Sequence, residues 1–258
     1  KQFKITKKTK AIMPTHIYGH SVDLDPLLEL CEKYNLFIIE DAAEAHGAEY
    51  KGKKCGSIGH ISTFSFYPNK LITTGEGGMV LCNNSKIAER AKSYRNLCFI
   101  PEKRFYHNNL GYNFRMTSMQ AAVGLAQLER IEETVAFKRE MGAYYISKLN
   151  KIEGIQTQIE KPWAKTVYWM YAVVLSPELN KDATEVMKEF KEYGIGTRPF
   201  FRGMHDQPVL QKMGLFHNES YPNTDHAYKF GFYLPSGMTI THNQIDKVVD
   251  VFQEILNK

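Results

Sequence analysis

Short apolar runs alternate with amphipathic stretches from Lys10 to about Asn96: "AIMPTHIYG", "DLDPLLELCEKYN", "LFIIEDAAEAHG", "ISTFSFYP", "GGMVLCN" and "SKIAERAKSYRN" follow one another. Near-continuous apolar strands between helical stretches predict a mainly parallel sheet with helices on both faces. "SKIAERAKSYRN" follows two asparagines, so Asn or Ser is at hand to cap its helix. From Thr117 to about Asn150 the helical spacing runs on without a break signal, which predicts one long helix between two lobes. Beyond Asn150, "GIQTQ", "VYWMYAVVL" and "GIGTRPFF" read as strands. "DATEVMKEFKEYG" reads as a helix ending at Gly194, and "THNQIDKVVDVFQEILNK" as an amphipathic helix. The expected division is a large α/β domain over residues 1–116, a connecting helix over 117–150, and a smaller α+β domain over 151–258.

The chain has 258 residues, 43% hydrophobic and 24% charged, enough for one large or two smaller cores. Its formal charge of +5 comes from scattered lysines, which favours anionic small molecules over nucleic acid. The four cysteines form no CxxC pair and read as reduced thiols of a cytoplasmic protein. No apolar run reaches the roughly 18 residues of a membrane span, and "KQFKITKKTK" lacks the apolar centre of a signal peptide. Nine histidines without a spacing such as HExxH argue against a metal enzyme.

"FSFYPNKLITTGEGGMV" places Lys70 between an aromatic strand and Gly75, Gly77 and Gly78, residues that tolerate backbone angles closed to others. A lysine at a buried strand end loses its preference for the ammonium form and becomes a nucleophile; the other reading is a surface lysine in a turn. Upstream, "LFIIEDAAEAHGA" sets Glu40 and Asp41 at a strand end, where sheets of this kind bind ligands. Alone, Asp41 reads equally as a helix cap. Together, an Asp able to keep a pyridine nitrogen protonated and a lysine able to form an imine are the two groups that a pyridoxal phosphate site requires.

"IIEDAAEAHGAEYKGKKCGSIGHISTFSFYPNKLITTGEGGMV" resembles the DegT-type nucleotide-sugar aminotransferases, which share the type I pyridoxal-phosphate fold of aspartate aminotransferase. The resemblance continues through "GYNFRMTSMQAAVGLAQLERIE", "GIGTRPFF" with "HDQPV", and "LPSGMTITHNQID", and so covers nearly the whole chain. "NKLITTGEGGMV" with "RPFF" is most similar to the perosamine-synthase branch, which aminates C4 of GDP-4-keto-6-deoxymannose. The resemblance implies Lys70 as the imine-forming lysine and Asp41 as the partner of the pyridinium nitrogen. Glu44 stands where many relatives have Gln against the phenolic oxygen of the cofactor. Ser65 matches a serine that donates to the cofactor phosphate, and Asn113 an asparagine that reaches the phosphate of a neighbouring subunit. A homodimer or higher homo-oligomer with shared sites is thereby implied, as are glutamate as amine donor, 2-oxoglutarate as its product, and a role in surface polysaccharide synthesis.

Weaker candidates for substrate contact are His16, Arg198 and His205, with Arg115 and His46 as polar residues of the same stretches; a histidine satisfied by backbone hydrogen bonds is the structural alternative. Relatives with histidine in place of the lysine are dehydratases, and Lys70 argues against that branch. The family normally carries a further N-terminal segment with a phosphate-binding turn and an aromatic residue stacked on the cofactor. Nothing before Lys10 matches it. The expectation is that this part of the fold is absent from the chain, with two alternatives to the GDP-sugar enzyme: a UDP- or dTDP-linked keto-sugar aminotransferase, or a truncated non-catalytic homologue serving as an assembly partner.

Overall fold

The computed structural model describes residues 5–258, so that the first lysines of the chain lie outside it. In chain order the elements of the first half are β1 (Ala11–Ile12), α1 (Asp25–Tyr34), β2 (Phe37–Asp41), β3 (Glu49–Tyr50), β4 (Lys53–Lys54), β5 (Ile61–Ser65), β6 (Gly78–Leu81), α2 (Ser85–Arg95), β7 (Phe99–Ile100), β8 (Lys103–His107) and α3 (Ser118–Leu128). They continue with α4 (Ile131–Leu149), β9 (Ile155–Thr157), β10 (Ala164–Lys165), β11 (Tyr171–Leu175), α5 (Ala183–Glu192), β12 (Arg198–Pro199), α6 (Pro208–Lys212), α7 (Pro222–Phe230), β13 (Gly231–Leu234) and α8 (His242–Leu256). Two compact units result: residues 1–135 with 160–169, and residues 136–159 with 170–258.

In the first unit the sheet order is β1-β2-β5-β6. β1, β2 and β5 run parallel, and β6 returns antiparallel to β5. The helix α1 forms where expected: Pro26 stands in its first turn and Asn35 closes it in the left-handed conformation (φ 51°, ψ 54°). Its Leu27 and Cys31 pack with Leu24, Leu36, Ile38 and Tyr50, which fixes β2 under the helix. α2 is capped by Asn84, whose side chain accepts from the Ile87 N–H at 3.2 Å. The expected cover on both sheet faces is only partly present, for β6 is exposed along its length and neither α2 nor α3 has a buried residue.

The stretch expected as one long helix is two. The Glu129 N–H still bonds four residues back to Leu125, but the Arg130 N–H bonds three back to Gln127. This shortened step ends α3 before α4 begins. The division between the units falls inside α4, between Val135 and Ala136.

The second unit carries an antiparallel sheet in the order β12-β13-β11-β9. α5 and α8 start in capping boxes, Asp182 with Glu185 and Thr241 with Gln244. Phe190, Phe232 and Phe252 meet at its centre with ring centroids 5.2–6.0 Å apart. "VYWMYAVVL" is a strand only from Tyr171 onward, and Val167 to Trp169 belong to the first unit. Among the described residues no helix is long and apolar enough to cross a membrane.

Candidate active site

Asp41 is the last residue of β2 and Ser65 the last of β5. Because these strands are parallel neighbours, with Asp41 opposite Thr63, both side chains stand at the carboxyl edge of the sheet. That edge is where open α/β sheets bind ligands. The chain then leaves β5, makes an excursion through Lys70, and returns as β6.

Hydrogen bonds pin both ends of this excursion. The Phe66 N–H donates to the Gly77 carbonyl (2.9 Å) and the Thr74 N–H to the Phe66 carbonyl (3.0 Å). Thr73 exchanges two bonds with the Gln127 side chain: its N–H donates to Oε1 (3.1 Å), and its carbonyl accepts from Nε2 (2.7 Å). Gly75 and Gly77 adopt positive φ (78° and 146°). Gly78 serves differently, because a Cβ there would lie 2.8 Å from the Phe64 carbonyl oxygen, so glycine permits close strand pairing.

Lys70 closes a turn, its N–H donating to the Tyr67 carbonyl at 3.0 Å, but its side chain is largely covered and not on the surface. Its Nζ lies 3.7 Å from Glu44 Oε1, each side chain only 10% exposed, and 3.7 Å from the centroid of the Trp169 ring. Burial lowers the Lys70 pKa, opposed by the charges of Glu44 and Asp41. Burial raises the Glu44 pKa, opposed by the Tyr18 N–H, which donates to Oε2 at 2.7 Å, and by Lys70. Asp41, half-buried, also accepts from the Ala43 N–H at 3.1 Å. Asp41, Glu44 and Lys70 therefore form one electrostatically coupled group. The Ser65 hydroxyl accepts from the Tyr67 N–H at 3.3 Å.

Histidines divide sharply. His16 is fully buried: Nδ1 accepts from the Val22 N–H (3.2 Å), which leaves Nε2 to donate to Glu40 (3.0 Å). This corrects the expectation of a substrate contact, since both ring nitrogens are already engaged. Glu40 also receives the N–H groups of Gly56, Ile58 and Gly59. Burial alone would raise its pKa, but His16 and these three donors hold it below the ordinary value. His46 lies between Phe64 and Phe66, and neither of its nitrogens reaches a hydrogen-bond partner among the described residues. Burial and the Lys70 charge depress it to about 4, so its ring is neutral at physiological pH.

Asn113 is exposed, bridges Asn96 through its backbone and accepts from Arg115 Nε at 3.0 Å. In the second unit Arg198 is exposed and donates to the Thr197 carbonyl, while His205 pairs with Asp225 at 2.7 Å and packs on Tyr221. Trp169 and Tyr18, which adjoin Lys70 and Glu44 respectively, lie outside the motifs of the sequence. Trp169 sits in a run that reads as plain strand, whereas Tyr18, with φ 53° immediately before a glycine, left a faint turn signal in "IYGH".

The model of the DegT/DnrJ/EryC1/StrS aminotransferase family matches residues 2–253. The chain belongs to this family. The aminotransferases of this family depend on pyridoxal phosphate. Among curated relatives, the GDP-perosamine synthase of Caulobacter vibrioides is 39% identical over 256 residues, a match covering 98% of this chain and 67% of that protein. The GDP-perosamine synthase of Vibrio cholerae is 36% identical, with 98% and 68% covered. DesV of S. venezuelae superposes with a TM-score of 0.89 at 30% identity, covering 98% of this chain and 67% of that one. Helicobacter pylori PseC shares the fold with a TM-score of 0.92 at 23% identity, covering 98% and 68%.

Pyridoxal phosphate fits the residues present. The aldehyde of the cofactor calls for an amine, and Lys70 offers a largely covered one whose pKa burial lowers. The pyridine nitrogen of the cofactor calls for a carboxylate, and Asp41 ends β2.

Proposed function

We propose that the chain transfers an amino group from glutamate to C4 of a nucleotide-linked 4-keto-6-deoxy sugar, with GDP-4-keto-6-deoxymannose as the favoured acceptor. The observation that carries this reading is the buried Lys70 amine held between Glu44 and Trp169 at the carboxyl edge of the sheet. The choice of a GDP sugar is supported by relatives named GDP-perosamine synthase at 36–39% identity. A UDP-linked acceptor is the second reading, favoured by a 31% identical Campylobacter jejuni relative named UDP-4-amino-4,6-dideoxy-N-acetyl-beta-L-altrosamine transaminase.

When bound, pyridoxal phosphate supplies an aldehyde that accepts an amino group and a ring that withdraws electrons from the adjoining carbon. In this proposal Asp41 keeps a proton on the pyridine nitrogen. Glu44 faces the phenolic oxygen, and Ser65 donates to the phosphate. Lys70 Nζ takes a proton from one carbon and returns it to another, for which a lowered pKa suits it at neutral pH. Glu44, pushed toward its protonated form and 3.7 Å away, can exchange that proton with Lys70. Asn113 reaches the phosphate of a second copy in a homodimer, and Arg198 and His205 contact the nucleotide sugar.

The test is direct. The chain, pyridoxal phosphate and glutamate are incubated with GDP-4-keto-6-deoxymannose, and separately with UDP- and dTDP-linked 4-keto sugars. Mass spectrometry should show the amino sugar forming fastest from the GDP substrate. Faster turnover of a UDP or dTDP substrate would overturn the choice of nucleotide, and no product from any of them would overturn the reaction.

A further inference from the structure

Trp169 contacts the lysine segment at two points. Its indole N–H donates to the Asn69 carbonyl at 2.8 Å, across 100 residues of sequence. The face of its ring lies 3.7 Å from Lys70 Nζ, the next residue along. Trp169 is itself held: it is 4% exposed, its backbone N–H donates to the Tyr18 carbonyl at 3.2 Å, and its ring stacks on that of Tyr18 with centroids 6.1 Å apart. Tyr18 in turn donates its N–H to Glu44, whose other oxygen faces Lys70. The contacts close a circuit through Lys70, Trp169, Tyr18 and Glu44.

We propose that Trp169 is a positioning residue for the Lys70 amine, anchoring the backbone just before Lys70 with its N–H and seating the ammonium on its ring. The proposal rests on the reading of Lys70 as the reactive amine. A lysine side chain has many rotamers, and a free amine that must meet one carbon reacts slowly unless it is confined. The ring confines it without neutralising it, since the π face attracts a cation but offers no proton acceptor. Phenylalanine keeps such a face and leucine does not, which separates this role from packing alone.

The test follows each lysine separately. Competitive acetylation with acetic anhydride from pH 6 to 11, mapped by mass spectrometry, gives the midpoint and plateau reactivity of Lys70. The comparison is between the wild-type chain, W169F and W169L, without cofactor. The charged groups facing Lys70, Glu44 and Asp41, are the same in all three, and His46 is neutral over this range. Because the ring favours the ammonium, W169L should lower the Lys70 midpoint by about half a pH unit or more and change its plateau reactivity about threefold or more. W169F should stay closer to wild type on both counts. If W169L does not fold by circular dichroism, W169M, whose unbranched chain adapts to irregular gaps and likewise lacks a π face, replaces it. Equal effects of Phe and Leu, or no effect of either, overturn the inference while the reactive-lysine reading stands. Pyridoxal phosphate trapped by borohydride on a lysine other than Lys70 overturns both.

Discussion

Glu44 divides its two oxygens between Tyr18 and Lys70: Oε2 accepts the Tyr18 N–H at 2.7 Å, and Oε1 lies 3.7 Å from the Lys70 amine. Burial moves both groups toward their neutral forms, the carboxyl upward and the amine downward. Their proton affinities thus approach each other, the condition under which a proton passes easily between acid and base. Glu44→Gln keeps an acceptor for Tyr18 but removes the charge that supports the Lys70 ammonium. The acid limb of the kcat/KM profile should therefore move to lower pH. A limb that stays in place or moves upward would show that Glu44 does not act on Lys70.

Asp41→Asn separates a chemical role from a capping role. Asparagine can still accept the Ala43 N–H, so the local turn should survive and stability should change by less than about 1 kcal/mol. The negative charge proposed to hold a proton on the cofactor nitrogen is lost, and the half-reaction with glutamate should slow by about 100-fold or more. Stopped-flow absorbance with pyridoxal phosphate and glutamate, beside a urea denaturation curve, measures both. A near-normal half-reaction would leave Asp41 a turn residue only.

Glu40 makes the opposite case. It is fully buried and receives His16 and three backbone N–H groups, so Glu40→Ala leaves four donors without their acceptor. Removing one side of such a buried network should cost about 3–5 kcal/mol. The Glu40 pKa is lower folded than unfolded, so its stabilisation is present above the ordinary carboxylate pKa and is lost as pH falls through the folded value. Urea midpoints between pH 3 and 7 should fall with acid in the wild type. A loss below about 1 kcal/mol in Glu40→Ala would contradict this.

In the second unit Lys138 is 2% exposed, donates to the Ser236 carbonyl at 2.6 Å, and is depressed by burial to about 7. Between pH 7 and the ordinary lysine pKa the unfolded chain binds the extra proton, so stability rises with pH, by at most about 1.4 kcal/mol per unit from this group. Thermal unfolding of Lys138→Met should show a flatter pH dependence between 7 and 10 than wild type. An unchanged slope would mean that Lys138 titrates normally.

The sequence made Asp41 and Lys70 legible because both follow from a local pattern, a strand end and a strand-to-glycine junction. Two parallel neighbours then bring the ends of β2 and β5 to one edge without further information. Trp169 was not legible: "VYWMYAVVL" alternates as one strand would, and only the tertiary fold divides it between units. His16 and His46 look alike in sequence, yet one satisfies both nitrogens and the other neither, because the Val22 N–H and the Glu40 carboxylate flank His16 while phenylalanine rings flank His46. The break between α3 and α4 left no glycine or proline to mark it, because it arises from one hydrogen bond moving from four residues back to three.

Reductive trapping of pyridoxal phosphate is the measurement closest to the central claim, that Lys70 is the amine at which this DegT-family site works. The chain is incubated with pyridoxal phosphate, treated with borohydride, digested and mapped by mass spectrometry, alongside Lys70→Ala and Lys70→Arg. Arginine keeps the charge and cannot lose it near neutral pH, so both variants should behave alike. Label is expected on the peptide containing Lys70 in the wild type and none above background in either variant. Label on a different lysine, or undiminished labelling of Lys70→Ala, would contradict it.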